Sequence, residues 1–192
     1  MRIYRQTIDI IPFSFDLTSA STHAIVLGKP KAKLFLTLVF NYQDAKHKPC
    51  LSKLQSWLED YPFLTLRLLP SIEGDASEFA ARLALRGFSM GVEPFFRCHN
   101  AIIHRSEQGL LAFLQEEHWN TQEFLRSMVS SNIDRSLACA DMWLRSAKCA
   151  APLAVFHLPR GRKPCALWKG ELPTEEIEAA LHTVSQTQKV AA

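Results

Sequence analysis

The fold is indicated most clearly by the stretch Leu34–Phe40, which has the sequence LFLTLVF. A continuous apolar run of this length is typical of a strand that is buried on both faces. A polar loop over residues 41–48 follows, and beyond Pro49 the apolar residues recur at helical spacing: Cys50, Leu51, Leu54, Trp57 and Leu58. Phe63–Leu69 (FLTLRLL) predicts a second strand. Strand, helix and strand over this length form a βαβ unit, so we expect two parallel strands joined by a right-handed crossover.

The sequence around this unit predicts further strands and helices. Residues 1–27 alternate apolar and polar side chains, which predicts one or two edge strands. Asp75 followed by Glu78 has the spacing of a capping box and predicts a helix that ends near Gly87 or Gly91. Apolar stripes predict three more helices, at residues 106–115, from Thr121 onwards, and at residues 133–147.

The C-terminal part returns to a β pattern. Pro152–Leu158 predicts a strand, and Lys163–Trp168 predicts its hairpin partner after a turn at residues 160–161. A final helix is predicted from Pro173 through Val184, because a proline and two glutamates suit the first turn of a helix. We expect the tail from Ser185 to be frayed.

Length and composition exclude several classes of protein. The 192 residues, 47% hydrophobic and 21% charged, predict a single globular domain over residues 1–192. The formal charge of +3 is too small for the clustered cationic surface that nucleic acid binding requires. No apolar stretch is long enough to span a bilayer, so no integral membrane segment is expected. The first residues show no secretory signal, so either the protein is cytosolic or a leader or anchor is missing from this chain.

Cysteine and histidine spacing argues against a metal site. The five cysteines, at positions 50, 98, 139, 149 and 165, form no C-x-x-C pair and no zinc spacing. We expect Cys98, Cys139 and Cys165 to pack as small hydrophobic residues. His99 and His104 have no cysteine or carboxylate at ligand spacing. No cofactor is expected either, because the sequence lacks a Walker loop and a G-x-G-x-x-G motif.

Five short segments, taken in order, carry a family resemblance. They are Ile25–Ala32 (IVLGKPKA), His47–Cys50 (HKPC), Ala151–Phe156 (APLAVF), Leu158-Pro159 and Leu172-Pro173. Their order resembles the thioredoxin fold with the helical insertion of the DsbA type. HKPC resembles the C-x-P-C redox motif of that family with its first cysteine replaced, and APLAVF resembles the segment whose proline is cis and faces the redox pair. The similarity covers roughly residues 25–184.

The resemblance implies a thioredoxin-like α/β fold, in which helices flank a central mixed β-sheet and a helical subdomain is inserted at about residues 75–147. It also implies a relationship to thiol–disulfide oxidoreductases and, if the usual setting of the family applies, a periplasmic or other extracytoplasmic location. The motif departs from the family pattern because Cys50 stands in it alone, at the place of the resolving thiol. A gapless match instead puts Ala45 and Lys48 at the cysteine positions. Both alignments lack the pair, so we expect the ordinary two-cysteine cycle to be absent.

The candidate site residues lie in this motif and opposite it. His47 either hydrogen-bonds a polar group of a partner or is merely solvated. Cys50 is either a monothiol nucleophile, if the helix N-terminus lowers its pKa, or a half-buried structural thiol. Cys149 lies three residues before Pro152, so a Cys50–Cys149 disulfide or a shared thiol site is an open alternative.

Three functions are compatible with this sequence. The first is binding of an extended polypeptide or a partner protein in a groove that Pro49, Ala151 and Pro152 would line, because backbone groups beside a cis-proline can pair with an extended chain. The second is a thiol enzyme with Cys50 and His47 as catalytic residues, alone or with Cys149, for disulfide exchange or glutathione-type chemistry. The third is a structural or interaction domain with a silent site. We favour the first.

Overall fold

The computed structural model describes residues 23–29, 34–157 and 166–190. The strands predicted within residues 1–22, the Leu158-Pro159 pair, the turn at residues 160–161 and Cys165 lie outside the described residues. In the part of the chain that is described, no helix is both long enough and apolar enough to cross a membrane.

The described strands form one mixed sheet with the order β1-β3-β2-β4-β5. The strands are β1 (Ile25–Gly28), β2 (Leu34–Phe40), β3 (Leu64–Pro70), β4 (Leu153–His157) and β5 (Ala166–Lys169). β2 and β3 are parallel, with Leu34 paired to Leu64, which confirms the parallel strands predicted for the βαβ unit. β1 is antiparallel to β3, and β4 is antiparallel to both β2 and β5. β5 is therefore the predicted hairpin partner of β4.

Eight helices lie within the described residues. They are α1 (Lys48–Leu51), α2 (Leu54–Asp60), α3 (Asp75–Met90), α4 (Val92–His104), α5 (Glu107–Glu116), α6 (Thr121–Ser127), α7 (Ser131–Ala147) and α8 (Thr174–Val190). The five helices α3 to α7 lie between β3 and β4 in the chain. They form the helical insertion, at the residues where the sequence predicts it.

The side chains of the central strands alternate between two hydrophobic clusters, because successive residues of a strand point to opposite faces of the sheet. One cluster contains Leu36, Leu38, Leu66, Leu68, Ala154 and Phe156, together with apolar residues of α1, α2, α8 and most of the insertion. The other contains Val39, Leu69, Leu153 and Val155, which pack with Ala140 and Trp143 of α7. The sheet is thus covered by helices on both faces, as an α/β architecture requires.

The single helix predicted after Pro49 is in fact two short helices, α1 and α2, separated at Ser52 and Lys53. The Ser52 hydroxyl donates to the Pro49 carbonyl at 2.9 Å. The Lys53 N–H donates to the Cys50 carbonyl at 3.1 Å, one residue short of the α-helical partner. A serine that competes for a backbone acceptor in this way interrupts the helical ladder. The spacing of the apolar residues does not reveal the break, because these residues keep helical spacing from α1 into α2.

Helix α4 is missing from the sequence prediction. Its buried face includes His99 between apolar neighbours, and Pro94 lies in its first turn. Both residues interrupt the apolar pattern by which an amphipathic helix is identified. A histidine is accommodated on this face because both ring nitrogens have hydrogen-bond partners.

Two predicted helix ends also differ from the structure. The N-cap of α3 is Gly74, at φ 144°, and not Asp75, so the predicted capping box is wrong. Ser77 provides the side-chain hydrogen bonds at the start of this helix, because its hydroxyl donates to the Gly74 carbonyl and accepts from the Glu73 N–H. Helix α8 continues to Val190, so the prediction of a frayed tail from Ser185 is wrong.

A buried hydrogen-bond chain ties the insertion to the segment after β2. The Tyr42 hydroxyl lies 2.8 Å from Nδ1 of His99, and Nε2 of His99 lies 3.0 Å from the Leu51 carbonyl oxygen. A carbonyl can only accept, so Nε2 carries the ring proton and Nδ1 accepts from Tyr42. Both side chains are buried. Burial lowers the pKa of His99 to about 4 and raises the pKa of Tyr42, so both groups are neutral near pH 7.

We predict that lowering the pH from 6.5 towards 4 destabilises the protein through His99. The pKa of His99 falls from 6.5 to about 4 on folding, chiefly because burial disfavours the imidazolium. Between these two values the unfolded chain binds a proton at residue 99 and the native chain does not. The free energy of unfolding therefore decreases by up to about 1.4 kcal/mol per pH unit in this interval and is unaffected by His99 above it.

Urea denaturation at a series of pH values measures this effect, with His99→Gln as the control because glutamine does not titrate. The unfolding free energy of the wild type should fall more steeply with decreasing pH than that of His99→Gln. Identical slopes for the two proteins would contradict the prediction.

Candidate functional site

A cleft of about 280 Å³ lies at the edge of the sheet where β2 ends and β4 begins. We call it the site cleft, and its lining residues are Asp44, Lys46, His47, Ala151, Pro152, Gly170, Glu171, Leu172 and Pro173. The loop at residues 41–50 and the Ala151-Pro152 segment therefore face each other, which is the juxtaposition that the sequence resemblance implies.

The first wall of the site cleft is the turn that follows β2, and Asn41 organises it. Asn41 is buried, and its side-chain oxygen accepts from the Gln43 N–H at 2.8 Å. Its side-chain NH₂ donates to Glu73 at 3.1 Å, which ties the turn to the connection between β3 and α3. The backbone of Asn41 contacts Nδ1 of His47, 3.2 Å from the N–H and 3.0 Å from the carbonyl oxygen.

Asp44 and His47, three residues apart, provide polar side chains to this wall. The Asp44 carboxylate accepts from the Lys46 N–H at 2.9 Å, and the Asp44 carbonyl accepts from the His47 N–H at 3.0 Å. This turn leads directly into α1, with His47 as the N-cap. The second carboxylate oxygen of Asp44 lies 3.4 Å from Nε2 of His47. The Asp44 side chain keeps 39% of its surface exposed, whereas that of His47 keeps 3%.

The structure corrects one expectation for His47. A solvated loop histidine was an open alternative, but the imidazole is buried and both ring nitrogens have polar neighbours within the turn. Its polar atoms stabilise the turn itself, because a buried imidazole without partners would lose its hydration at a cost of about 1–3 kcal/mol. The His47 ring thus helps to hold the first wall of the cleft in one conformation.

The second wall consists of Ala151-Pro152 and the chain that follows β5. The Ala151-Pro152 peptide bond is cis. The Pro152 carbonyl accepts from the Gly170 N–H at 2.9 Å. Gly170 has φ 81°, a left-handed conformation that favours glycine, and it turns the chain after β5 back towards the cleft. Within the described residues, the N–H and C=O of Ala151 make no hydrogen bond with another backbone group.

Cys50 and Pro49 do not line the site cleft. Cys50 has no exposed surface and lies in the hydrophobic cluster with Leu51, Leu54 and Trp57. Burial raises the pKa of its thiol to about 12, and the Glu178 carboxylate acts in the same direction. Pro49 is exposed on the outer side of α1. Of the motif HKPC, therefore, only His47 reaches the cleft.

Cys149 is a separate, half-buried thiol. It packs against the second hydrophobic cluster, whereas Cys50 belongs to the first. Burial raises the pKa of Cys149, and the nearby Lys169 ammonium partly opposes this shift. Both thiols are free, so the structure does not form the Cys50–Cys149 disulfide. Cys98 and Cys139 are buried in packing positions, as predicted.

The sequence also contains the pattern G-x-S-x-G at Gly87–Gly91, which in serine hydrolases marks the nucleophile elbow. An elbow requires a sharp strand-to-helix turn. Here the segment is the last turn of α3, and the Ser89 hydroxyl donates to the Arg86 carbonyl at 2.7 Å. The pattern is therefore a helix end with no catalytic geometry. In the described ranges, no group of three or more histidine, cysteine or acidic side chains is placed to hold a metal ion.

Six cleft residues are not among the candidate site residues of the sequence analysis: Asp44, Lys46, Gly170, Glu171, Leu172 and Pro173. Asp44 and Lys46 lie in the polar loop at residues 41–48, and the sequence pattern does not predict which of its side chains face the cleft. Glu171 carried no signal, since nothing in the sequence shows that the chain after β5 returns to the same edge of the sheet.

Comparison with known proteins identifies the fold. Neither protein-family models nor curated proteins match the sequence. A thioredoxin-like oxidoreductase from Silicibacter pomeroyi has a TM-score of 0.70 and 21% identity, over 85% of this chain and 93% of that one. The thiol-disulfide exchange protein alpha-DsbA2 of Wolbachia pipientis has a TM-score of 0.68 and 17% identity, over 88% of this chain and 89% of that one. The catalytic domain of Proteus mirabilis ScsC has a TM-score of 0.66 and 16% identity, over 84% of this chain and 89% of that one. The chain therefore has the DsbA-like thioredoxin fold, as the sequence resemblance implies.

We predict that Cys149 is alkylated faster than Cys50 or Cys98 in the native protein. With a pKa of about 12, Cys50 and Cys98 carry almost no thiolate at neutral pH, and their burial also blocks access. Labelling with iodoacetamide at about pH 8, followed by peptide mass mapping, should show Cys149 ahead by about tenfold or more. Cys50 labelled as fast as Cys149 would contradict this. As a control, the three thiols should react at similar rates in concentrated guanidinium chloride.

Proposed function

We propose that this protein binds extended polypeptide in the site cleft and does not perform two-thiol disulfide exchange. The DsbA-like thioredoxin fold supplies the cleft, and the turn that ends in His47 supplies one of its walls. Asp44 and His47, the N-cap of α1, face the cleft, and no described cysteine is among its lining residues. A carboxylate and an imidazole cannot form or exchange a disulfide.

The observation that carries the proposal is the backbone of Ala151 beside the cleft, which makes no hydrogen bond to another backbone group of the described residues. Pro152 has no N–H and its carbonyl is bound to Gly170, so Ala151 supplies the backbone donor and acceptor at this wall. An extended chain that lies along the wall can donate to the Ala151 carbonyl and accept from its N–H, as in the addition of a strand to a sheet edge. Such pairing is independent of the side-chain sequence, so it suits a binder of unfolded or extended segments.

The charges of the site cleft favour a polar chain. Asp44 and Glu171 are acidic and Lys46 is basic, and all three keep surface exposed to solvent. Two backbone hydrogen bonds contribute about 1 kcal/mol each, and association carries an entropic cost. We therefore expect weak binding, with a Kd of about 1 mM or weaker.

The burial of Cys50 disfavours the alternative of a monothiol enzyme. A nucleophilic thiol needs exposure and a lowered pKa. Cys50 has no exposed surface and a raised pKa, and Cys149 lies outside the site cleft with its pKa also raised. Neither thiol is therefore placed to attack a disulfide held against Ala151.

We predict that a permanently unfolded polypeptide, reduced and S-carboxymethylated α-lactalbumin, binds at Ala151. Titration followed by amide NMR should shift the signals of Ala151, Gly170 and the turn at residues 44–48 more than those of α7. Ala151→Leu, which projects a larger side chain at the backbone pairing position, should weaken binding by about thirtyfold, the effect of losing two hydrogen bonds of about 1 kcal/mol each.

The matched control is Ala150→Leu, since Ala150 is exposed and lies outside the site cleft. This variant should bind like the wild type. Shifts that fall elsewhere on the protein, no binding at all, or an equal loss in the two variants would each overturn the proposal.

A further inference from the structure

His99 lies outside the site cleft, yet it contacts both ends of the segment that builds the first wall. The ring sits in α4 of the helical insertion, stacked on Phe95 with ring centroids 5.4 Å apart. It meets the Tyr42 ring edge-on at 5.6 Å. Only 2% of His99 is exposed, so neither ring nitrogen is available to solvent.

The two hydrogen bonds of His99 end at residues that precede and follow the first wall of the cleft in the chain. Tyr42 is the second residue after β2, and Leu51 is the last residue of α1. Asp44, Lys46 and His47 all lie between these two points in the chain. One imidazole therefore joins the start and the end of the segment 42–51 to the same point of the insertion.

The tautomer of His99 determines which group donates in each of these two hydrogen bonds. The Leu51 carbonyl requires a proton on Nε2, which leaves Nδ1 as an acceptor for the Tyr42 hydroxyl. Among the side-chain types, only a neutral histidine has a donor and an acceptor on opposite sides of a rigid ring. A second tie, from the Asn41 amide to Glu73, reaches the same turn from the connection before α3. The turn is thus anchored from the insertion side, while the Ala151 wall belongs to the sheet.

We propose that His99 is a positioning residue that clamps the segment 42–51, through Tyr42 and Leu51, in the conformation that forms the first wall of the site cleft. The clamp couples the helical insertion to the cleft. Loss of either hydrogen bond lets the segment open locally without unfolding the sheet, because the remaining contacts of β2 and β3 are unchanged. The consequence for polypeptide binding rests on the proposed function, whereas the clamp itself does not.

Amide hydrogen exchange, measured by mass spectrometry on the full chain without any polypeptide, tests the clamp. Tyr42→Phe removes only the hydroxyl that donates to His99. The N–H groups of His47, Lys48, Leu51 and Ser52 are hydrogen-bonded within the turn and α1, and we expect them to exchange about five- to tenfold faster. Amides of β3 and α8 should exchange at the wild-type rate. His99→Phe, which removes both bonds and keeps a ring, should accelerate the same amides further.

The matched control is Tyr61→Phe, which removes a tyrosine hydroxyl away from His99 and should leave residues 47–52 unchanged. Uniform acceleration across β3, α8 and the segment 42–51 in Tyr42→Phe would overturn the clamp, because it would show a general loss of stability. Unchanged exchange at residues 47–52 would also overturn it. Absence of binding to carboxymethylated α-lactalbumin would instead count against the proposed function and leave these exchange results to decide the clamp.

Discussion

β4 lies between β2 and β5 and runs antiparallel to both, and this pairing determines where the site cleft forms. Val39 pairs with Leu153, and Leu153 pairs with Lys169. The end of β2, the start of β4 and the end of β5 are therefore held together at one edge of the sheet by backbone hydrogen bonds. The chain segments that leave these three points supply all the lining residues of the cleft. A shift of register between β2 and β4 would separate the two walls and move every strand side chain to the opposite face.

The polar groups near the cleft are mostly engaged in holding its shape. His47 and Asn41 satisfy each other within the turn, and His99 is shared between Tyr42 and Leu51. The buried thiol of Cys50 behaves as a small apolar group in the core. Among the described residues, the backbone of Ala151 makes no bond to another backbone group, and the rim carries the exposed charged side chains of Lys46 and Glu171. The proposed recognition of an extended chain rests on this division of roles.

The main elements of the fold were predictable because their patterns are strong. The largely apolar runs in β2 and β3, which contain only Thr37, Thr65 and Arg67 as polar residues, favour a buried parallel pair, and the insertion begins and ends where apolar stripes predict it. Helix α4 could not be predicted in this way, because His99 occupies its buried face through hydrogen bonds that join residues far apart in sequence. The separation of α1 from α2 depends on one serine hydroxyl and leaves the apolar spacing intact.

Part of the site could be predicted from the sequence, whereas the residues chosen for their thiol chemistry do not line the cleft. Ala151 and Pro152 were identified from their resemblance to the cis-proline segment of the family, and both residues line the cleft. Cys50 was a candidate because of its chemistry, but it shares a helical face with Leu54 and Trp57, and that spacing already indicates the core. Asp44 escaped because the point at which a loop becomes a helix depends on local hydrogen bonds, here from the Lys46 and His47 N–H groups.

The central claim is that the site cleft lacks a nucleophilic thiol, because His47 stands at the first position of the motif HKPC and Cys50 is buried. The most direct test is the variant His47→Cys, which gives the sequence Cys-Lys-Pro-Cys, in an insulin-reduction assay with dithiothreitol. The wild type should show no activity above dithiothreitol alone, whereas His47→Cys should accelerate reduction. A folded His47→Cys variant without activity, or a wild type that is active until Cys50 or Cys149 is replaced by serine, would contradict the account.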